Sequence, residues 1–383
     1  MTESVKAAVI AAPGRMEIRE FSYPVLGKGG IILRVEMAGI CGTDKHTYRG
    51  ENVQYAGTPA ERRTPFPIIP GHEIVGTIAK ISAEAEARGD YYGQALAVGD
   101  RVTICPDLIC GECWTCRNTF AYPWCENVRG YGNAFSAEEP PHLTGGWAEC
   151  MYLFPGTFVY RVPEEMPPEV AVWSELFTVS AALERALAHC HPSSGFHGAP
   201  IVVIQGVGPL GMCCLIRARM LGAGEIIATD LSSFRLSMAQ RFGADEALNV
   251  GETDTGERVK FVRERTGGRG ADIVIECAGV AEAVPEGLEM LRQGGLYLEL
   301  GNFVDTGEVP LNIHRHLCAK NVMLLGVTNH PYTGYGPSLK LMQRYHDRYP
   351  LADLITHCYP LQRAEEALLT SMQPEAMKVV IRP

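Results

Sequence analysis

The sequence has no apolar run near the roughly 18 residues that a membrane-spanning helix needs. It also lacks an excess of basic residues, because 44 Asp and Glu outnumber 34 Lys and Arg and give a net charge of -10. This balance argues against nucleic acid or an anionic membrane as the main partner, since both attract clustered Lys and Arg. Repeats and low-complexity segments are absent as well. The composition, 46% hydrophobic and 20% charged, is that of a soluble globular protein with about two domains in 383 residues.

A regular disulfide framework is also missing. The thirteen cysteines are odd in number and cluster locally, so we expect reduced metal ligands and core thiols in a cytoplasmic protein. The apolar patch from Ala7 to Ala12 is too short, and too close to Glu17 and Glu20, for a signal peptide. We expect a first β-strand there.

A glycine motif follows the β-branched run Ile201–Ile204, and its residues are Gly206, Val207, Gly208, Pro209, Leu210 and Gly211. A run of this kind is typical of a strand buried on both faces. The first glycine allows a tight turn, the second lets a pyrophosphate approach the backbone, and the third lets helix pack on strand. The following helix offers free N–H groups to phosphates at its N-terminus. The pattern predicts a dinucleotide site, the alternative being a glycine-rich turn in an ordinary βαβ unit.

Asp230 ends the next apolar run, about 20 residues beyond the glycines. A carboxylate at this position accepts hydrogen bonds from both ribose hydroxyls and repels a 2′-phosphate, so NAD is favoured over NADP. The βα alternation continues through apolar runs at 271–275, 295–300 and 322–325. We therefore predict an α/β fold with one doubly wound parallel sheet of about six strands. The prolines at 163–168 mark a domain boundary, and the closing strand at 378–381 returns to the first domain.

Two short segments combine metal-ligand residue types. Residues 39–46, GICGTDKH, hold a thiol, a hydroxyl, a carboxylate and an imidazole, and residues 70–73, PGHE, add another imidazole and carboxylate. Cys, His and Glu are ligands of catalytic zinc, which keeps one position open. Spacing alone leaves a polar loop as the equal alternative. Glu175 lies in a strongly apolar segment, where either a salt bridge or a metal would satisfy it.

Four cysteines lie close together further along the chain, at Cys110, Cys113, Cys116 and Cys125. Three of them follow the spacing C-x2-C-x2-C, which is typical of a tetrahedral thiolate site. A site closed by four sulfur ligands is structural, because no position remains for a substrate. Core or disulfide cysteines are the alternative.

Taken together, these motifs resemble the zinc-dependent medium-chain alcohol dehydrogenases, in the polyol (sorbitol-like) and threonine dehydrogenase branch. The resemblance rests on GICGTDKH, PGHE, the four cysteines, SELFTVSAA at 174–182, GVGPLG with Asp230, and the closing ITHCYPL and KVVIRP. It implies a GroES-like β-rich catalytic domain at 1–165, with a structural zinc lobe near 105–128. A Rossmann domain would follow at 166–326, and 327–383 would return to the catalytic domain.

The resemblance also implies roles for the first dense segments. Cys41 and His72 would bind the catalytic zinc, and Asp44 would hold the His72 ring through its other nitrogen. The third zinc ligand stays open between Glu175, which is favoured in the resting state, and Glu73. If Glu73 is the third ligand, it binds the metal directly. If Glu175 is the third ligand, Glu73 pairs with Lys378 behind the metal.

Thr43 and His46 would form the proton relay, through the nicotinamide ribose. Val179 would pack on the nicotinamide, and Arg235 would lie near the adenine. Cys110, Cys113, Cys116 and Cys125 would bind the structural zinc, although eight residues separate the last two where the family usually has seven.

The implied activity is reversible NAD-linked oxidation of a secondary, polyol or cyclic alcohol, with two zinc ions per chain. A homodimer or homotetramer would form through the sheet edge near 296–300 and 322–325. The alternatives are a zinc-free quinone or enone reductase on the same fold and a non-catalytic NAD-binding sensor. For the substrate pocket, the loop residues Arg62, Arg63, His142, Asn329 and His330 are candidates, with an ordinary loop role as the alternative for each.

Overall fold

The computed structural model describes residues 4–51, 53–58, 60–119, 124–189, 199–329 and 331–383. The pocket candidate His330 lies outside these residues. The chain forms two compact units, Met1–Glu175 with Pro331–Pro383, and Leu176–His330. We expected the first change of domain at 165/166; the change of unit falls about ten residues later, inside a helix. Among the described helices, none is long and apolar enough to cross a bilayer.

The strands are numbered in chain order. They are β1 (Ser4–Ala12), β2 (Arg15–Ser22), β3 (Ile31–Gly39), β4 (Val53–Gln54), β5 (Arg62–Arg63), β6 (Glu73–Ile81), β7 (Arg101–Ile104), β8 (Asp107–Leu108), β9 (Arg129–Gly130), β10 (Cys150–Leu153), β11 (Val159–Arg161), β12 (Ile201–Gln205), β13 (Glu225–Asp230), β14 (Glu246–Asn249), β15 (Ala271–Glu276), β16 (Leu291–Glu299), β17 (Met323–Gly326), β18 (Ile355–Pro360) and β19 (Lys378–Arg382).

The α-helices are numbered in the same way. They are α1 (Gly42–Arg49), α2 (Ala83–Arg88), α3 (Trp114–Asn118), α4 (Pro168–Ala171), α5 (Ser174–Val179), α6 (Ala182–His189), α7 (Pro209–Met220), α8 (Ser233–Arg241), α9 (Thr255–Arg265), α10 (Ala283–Met290), α11 (Tyr335–Arg344) and α12 (Ala364–Ser371). A π-helical turn covers His314–Cys318, and 3-10 turns cover Tyr332–Gly334, Leu351–Leu354 and Leu361–Arg363.

The first unit is built on a mainly antiparallel sheet in the order β11-β7-β6-β3-β19-β18, with β10 also paired to β3. The C-terminal strand β19 adds to β3 through the pair Ile381↔Ala38, so the end of the chain completes this sheet. Gly39 at the end of β3 pairs with Glu73 at the start of β6. Cys41 and His72 therefore emerge at the same end of the sheet.

The second unit contains a six-stranded parallel sheet in the order β14-β13-β12-β15-β16-β17. This arrangement confirms the predicted doubly wound sheet, including the strand at 201–204, which is β12. The strand β14 was not predicted, because its sequence EALN carries no β-branched run. Residues 296–299 of β16 pair with strands on both sides, so only β17 presents an edge on this side of the sheet.

Candidate active site

Asp44 organises the first dense segment through the backbone. Cys41 caps the N-terminus of α1, and its N–H donates to Asp44 Oδ2 at 2.8 Å. The other carboxylate oxygen, Oδ1, accepts from the N–H of Gly71 at 3.1 Å. The buried carboxylate thus ties the turn that carries Cys41 to the turn that carries His72.

The geometry of Asp44 differs from the expectation in one respect. Its Oδ1 lies 3.9 Å from His72 Nδ1, beyond hydrogen-bond distance. Within the described part of the chain, that Nδ1 has no hydrogen-bond partner although it is buried. The direct bond implied by the resemblance is therefore absent, and both carboxylate oxygens accept backbone N–H groups.

His72 lies among acidic groups. Burial on its own lowers the pKa of the His72 ring, since it disfavours the charged form. The charges of Cys41, Asp44 and Glu175 outweigh burial and raise the pKa well above its ordinary value. The buried ring is thus surrounded by a thiol and two carboxyl groups, which favour a positive charge at this position. Thiol, imidazole and carboxylate are also the donor types of a catalytic zinc, so these residues fit that metal.

Glu73 is held by a cation instead. Its Oε2 pairs with Lys378 Nζ, and both side chains are fully buried. Lys378 also donates to the carbonyl of Ile40 at 3.3 Å. A side chain at Gly39 would overlap this ion pair, so glycine is required there. Burial raises the pKa of Glu73, and the adjacent Lys378 opposes that rise. Glu73 therefore has a strong partner in Lys378.

Thr43 and His46 lie on the same short helix, three residues apart, and so share a face. Thr43 Oγ1 lies 3.9 Å from Cys41 Sγ. His46 Nδ1 lies 2.5 Å from Glu51 Oε2, and the ring is 24% exposed. The helix therefore leads from the Cys41 thiol towards solvent. Glu51 was not predicted as part of the site; the C-cap glycine at 50, which turns the chain back over the helix, is the signal that could have found it.

The four cysteines of the lobe converge. Their sulfur atoms all lie within 4.8 Å of one another, and Cys110 Sγ to Cys116 Sγ is 3.8 Å. No other set of three or more potential ligands in the described residues meets that limit, the Cys41 cluster included. Backbone N–H groups donate to the sulfurs of Cys110, Cys113 and Cys125 at 3.3–3.4 Å. These donors stabilise thiolates, so the lobe fits a closed zinc site. Part of the long spacing before Cys125, residues 120–123, lies outside the described chain.

The glycine motif forms the turn between β12 and α7. Gly206 has φ +82°, and a Cβ on it would lie 2.6 Å from the Cα of Ala278. A Cβ on Gly211 would overlap the Gly206 carbonyl, whereas the nearest atom to a Cβ built at Gly208 is Arg235 Nη1, at 3.8 Å. The first and third glycines are needed for packing and the second leaves its backbone open. This open backbone at the start of α7, where Pro209 is the first residue, fits a pyrophosphate.

Asp230 is aimed at the same turn. Its Oδ2 accepts from the N–H of Val207 at 2.9 Å, and its Oδ1 accepts from the N–H of Ser232 at 2.8 Å. Ser232 also caps α8, which carries Arg235. The carboxylate therefore lies beside the glycine turn. Val179, the last residue of α5, is partly exposed, unlike its buried neighbours.

Comparisons with known proteins agree with this geometry. The family "Alcohol dehydrogenase GroES-like domain" matches residues 27–164, and "Zinc-binding dehydrogenase" matches residues 209–342. The 5-exo-hydroxycamphor dehydrogenase of Pseudomonas putida is 35% identical over 365 residues, which cover 95% of this chain and 94% of that protein. The chain belongs to the zinc-dependent alcohol dehydrogenase family. The resemblance drawn from the motifs is confirmed.

Two further relatives cover the whole chain. The erythritol/L-threitol dehydrogenase of Mycolicibacterium smegmatis is 30% identical over 383 residues, 100% of this chain and 98% of that protein. The crystal structure of an alcohol dehydrogenase from Thermotoga maritima superposes with a TM-score of 0.87 at 33% identity and covers 100% of both chains. The protein is therefore an oxidoreductase that acts on CH–OH groups of small molecules, and the predicted GroES-like and parallel-sheet architecture is confirmed.

One feature of this alcohol dehydrogenase was missed from its sequence. Glu276 and Glu299 end the neighbouring strands β15 and β16 and are paired directly in register. The predicted strands at 271–275 and 295–300 left Glu276 outside and included Glu299 without a role. An acid at the end of an otherwise apolar run, found twice within one sheet, is the signal that could have identified them.

Proposed function

We propose that this protein catalyses the reversible, zinc-dependent and NAD-linked oxidation of a secondary, polyol or cyclic alcohol to the ketone or aldehyde. The proposal rests on the set of Cys41, His72 and Glu175, in which the partly exposed thiol and the buried carboxyl group both act on the buried His72 ring. Family membership supports the reaction class.

In the catalytic site, Cys41, His72 and Glu175 would hold the metal. Glu175 is preferred over Glu73 because Lys378 already neutralises Glu73. Zinc, when bound, supplies a Lewis acid that lowers the pKa of an alcohol hydroxyl. Asp44 keeps the two ligand-bearing turns together by its backbone hydrogen bonds.

Proton movement falls to the residues of α1. The Thr43 hydroxyl, near the Cys41 thiol, would accept the alcohol proton and donate its own onward. His46 would receive a proton further along the helix, where its Nδ1 lies 2.5 Å from Glu51 Oε2. The carboxylate partner fixes the orientation of the His46 ring.

Cofactor choice rests on Asp230. Its position beside the open backbone of Gly208 would place it at the adenosine ribose, where a carboxylate repels a 2′-phosphate. We therefore infer NAD rather than NADP, with Val179 against the nicotinamide and Arg235 near the adenine. Gly206, Gly211, Pro209 and Leu210 shape the turn and the first residues of α7.

The four cysteines of the lobe would hold a second, structural zinc, giving two per chain. We further infer a homo-oligomer that pairs through the edge strand β17, where Leu324 is 43% exposed. A reduced cytoplasmic location is consistent with the lack of disulfide bonds among the described cysteines.

The substrate class is tested by an NAD-coupled screen. The names of the two curated relatives favour a cyclic alcohol, such as cyclohexanol, or a polyol, such as erythritol, over ethanol. We expect NADH production with one of the first two and at least about tenfold less with NADP. Reduction of a quinone or enone by metal-free protein would establish the zinc-free alternative. Binding of NADH without turnover of any alcohol would favour the sensor.

A further inference from the structure

Two acidic side chains share one region of the second unit. Glu276 and Glu299 are the last residues of β15 and β16, and the register pairs them. Paired residues on neighbouring parallel strands project to the same face of a sheet. Glu276 is fully buried and Glu299 is half-buried.

Glu276 shapes the loop that follows β15. Its Oε1 accepts from the N–H groups of Ala278, at 2.7 Å, and Gly279, at 2.9 Å. This loop packs directly on the glycine turn, since a Cβ at Gly206 would lie 2.6 Å from the Cα of Ala278. The conformation that Glu276 imposes is therefore one wall of the predicted dinucleotide site.

Glu299 does the same for the loop after β16. Its Oε1 accepts from the N–H groups of Gly301, at 3.1 Å, and Asn302, at 2.9 Å. The Asn302 side chain lies between the two acids, 3.1 Å from Glu299 Oε1 and 3.4 Å from Glu276 Oε2. Both loops lie at the carboxyl ends of the strands, beside the switch point between β12 and β15 where such sheets bind dinucleotides.

The remaining oxygens are not satisfied by backbone donors. Glu299 Oε2 is buried and has no hydrogen-bond partner among the described residues. If both Glu276 and Glu299 were ionised, the two carboxylates, which are paired in register, would also repel each other. Burial, together with the charge of Glu299, raises the pKa of Glu276 to about 8, while the N–H groups of Gly279 and Ala278 oppose the rise. One proton between the two acids would satisfy the free oxygen and remove the repulsion.

We propose that Glu276 and Glu299 share one proton, and that this pair positions the loops after β15 and β16 to receive the nicotinamide dinucleotide. The role in binding rests on the proposed use of NAD; the shared proton does not. Both acids act through the loops they hold, so they are positioning residues. Ionisation of the pair separates the two carboxylates and disturbs both loops.

The surrounding titratable groups leave the pair as the source of charge change near pH 8. These groups are Tyr297 of β16, Cys277 at the end of β15 with Cys214 of α7, and Glu286 of α10, which is paired with Arg258. Burial raises the pKa of Tyr297, and a hydrogen bond to Cys214 raises that of Cys277, so both stay neutral through pH 9.

The sign of the pH dependence follows from the raised pKa. The folded protein keeps a proton that the unfolded chain releases near 4.5, so this contribution to stability is present below pH 4.5 and is lost as the pH rises to about 8. Binding that requires the protonated pair weakens at higher pH, as the folded protein loses this proton above about pH 8. With one proton and a pKa of about 8, the Kd for NADH rises about tenfold from pH 7 to pH 9.

The test is NADH binding to the full chain by titration calorimetry from pH 6 to pH 9. In Glu276→Gln the amide donates to Glu299 and cannot lose a proton, so we expect the Kd to change less than twofold. The matched control is Glu246→Gln, at the amino end of β14 and paired with Arg265; it should follow the wild type. A flat wild-type profile, or equal pH dependence in Glu276→Gln, would overturn the positioning role.

Infrared spectroscopy tests the proton directly. A protonated carboxyl band in the wild type at pH 7 should be lost by pH 9 and be missing from Glu276→Gln. Its absence from the wild type at pH 7 would overturn the shared proton. Failure of NADH to bind at any pH would overturn the proposed function and the positioning role together, and the infrared result would still decide the proton.

Discussion

The two cysteine-containing sites of the first unit are built in opposite ways. In the lobe, four like ligands come from one short segment and already lie within 4.8 Å of one another. In the Cys41 cluster, unlike ligands come from three separate segments that the β3–β6 pairing and α5 bring together. Local spacing therefore brings four like donors together, whereas assembly by the sheet brings unlike donors together, and the proposal assigns the closed metal site to the first and the open one to the second.

Among the variants that test the difference between the two sites, Cys41→Ala should have the largest effect. Loss of the thiol should reduce alcohol oxidation on the order of a thousandfold or more, because the metal that polarises the substrate is lost. NADH binding, measured by fluorescence, should stay within about twofold. The exposed thiol Cys358 provides the control, and Cys358→Ala should keep its activity. Unimpaired turnover in Cys41→Ala would contradict the zinc mechanism.

A second change tests the charge behind the catalytic cluster. Lys378→Met leaves Glu73 buried without its cation, which should cost about 3–5 kcal/mol of unfolding free energy, measured in urea. Lys378→Met/Glu73→Gln should recover much of that loss, because no charge stays unpaired. If the double variant is as unstable as the single one, the ion pair is not the cause.

In the lobe, Cys125→Ser should remove one zinc per chain and lower the melting temperature by several degrees, since a structural zinc contributes folding free energy. Turnover per folded molecule should stay within about threefold. A loss of turnover as large as that of Cys41→Ala would show that the cysteine lobe is not a purely structural site.

The smallest expected effect is on cofactor choice. Asp230→Gly removes the carboxylate that faces the glycine turn, so discrimination against NADP should fall about tenfold in kcat/KM. Glu252→Gln, an exposed acid in the same unit, should leave the ratio unchanged. Unaltered discrimination in Asp230→Gly would assign cofactor choice to another residue.

The same contrast explains what could be predicted from sequence. The cysteine lobe, the glycine turn and the β12–α7–β13 unit are local patterns, and the six-stranded sheet follows from their repetition. The Glu73–Lys378 pair depends on β19 returning beside β3, so the resemblance left it as one of two alternatives. The 3.9 Å separation of Asp44 and His72 depends on where two turns from different parts of the chain lie, with Asp44 bound to the backbone of both. Such a distance cannot be read from residue order.

The Glu276–Glu299 pair was missed for a related reason. Each acid ends its own strand, and only the register of β15 with β16 shows that they meet. The sheet edge was predicted too broadly, since β16 is paired on both sides and β17 alone is free at that side. Both cases need the strand order, which no single segment contains.

The proposal of one catalytic and one structural zinc site is tested by measuring zinc per chain, by elemental analysis of protein purified without added metal. Two ions are expected in the wild type and one in each of Cys41→Ala and Cys125→Ser, with the loss additive in the double variant. A wild-type value near zero in folded protein with intact thiols would contradict the account and favour the zinc-free reductase.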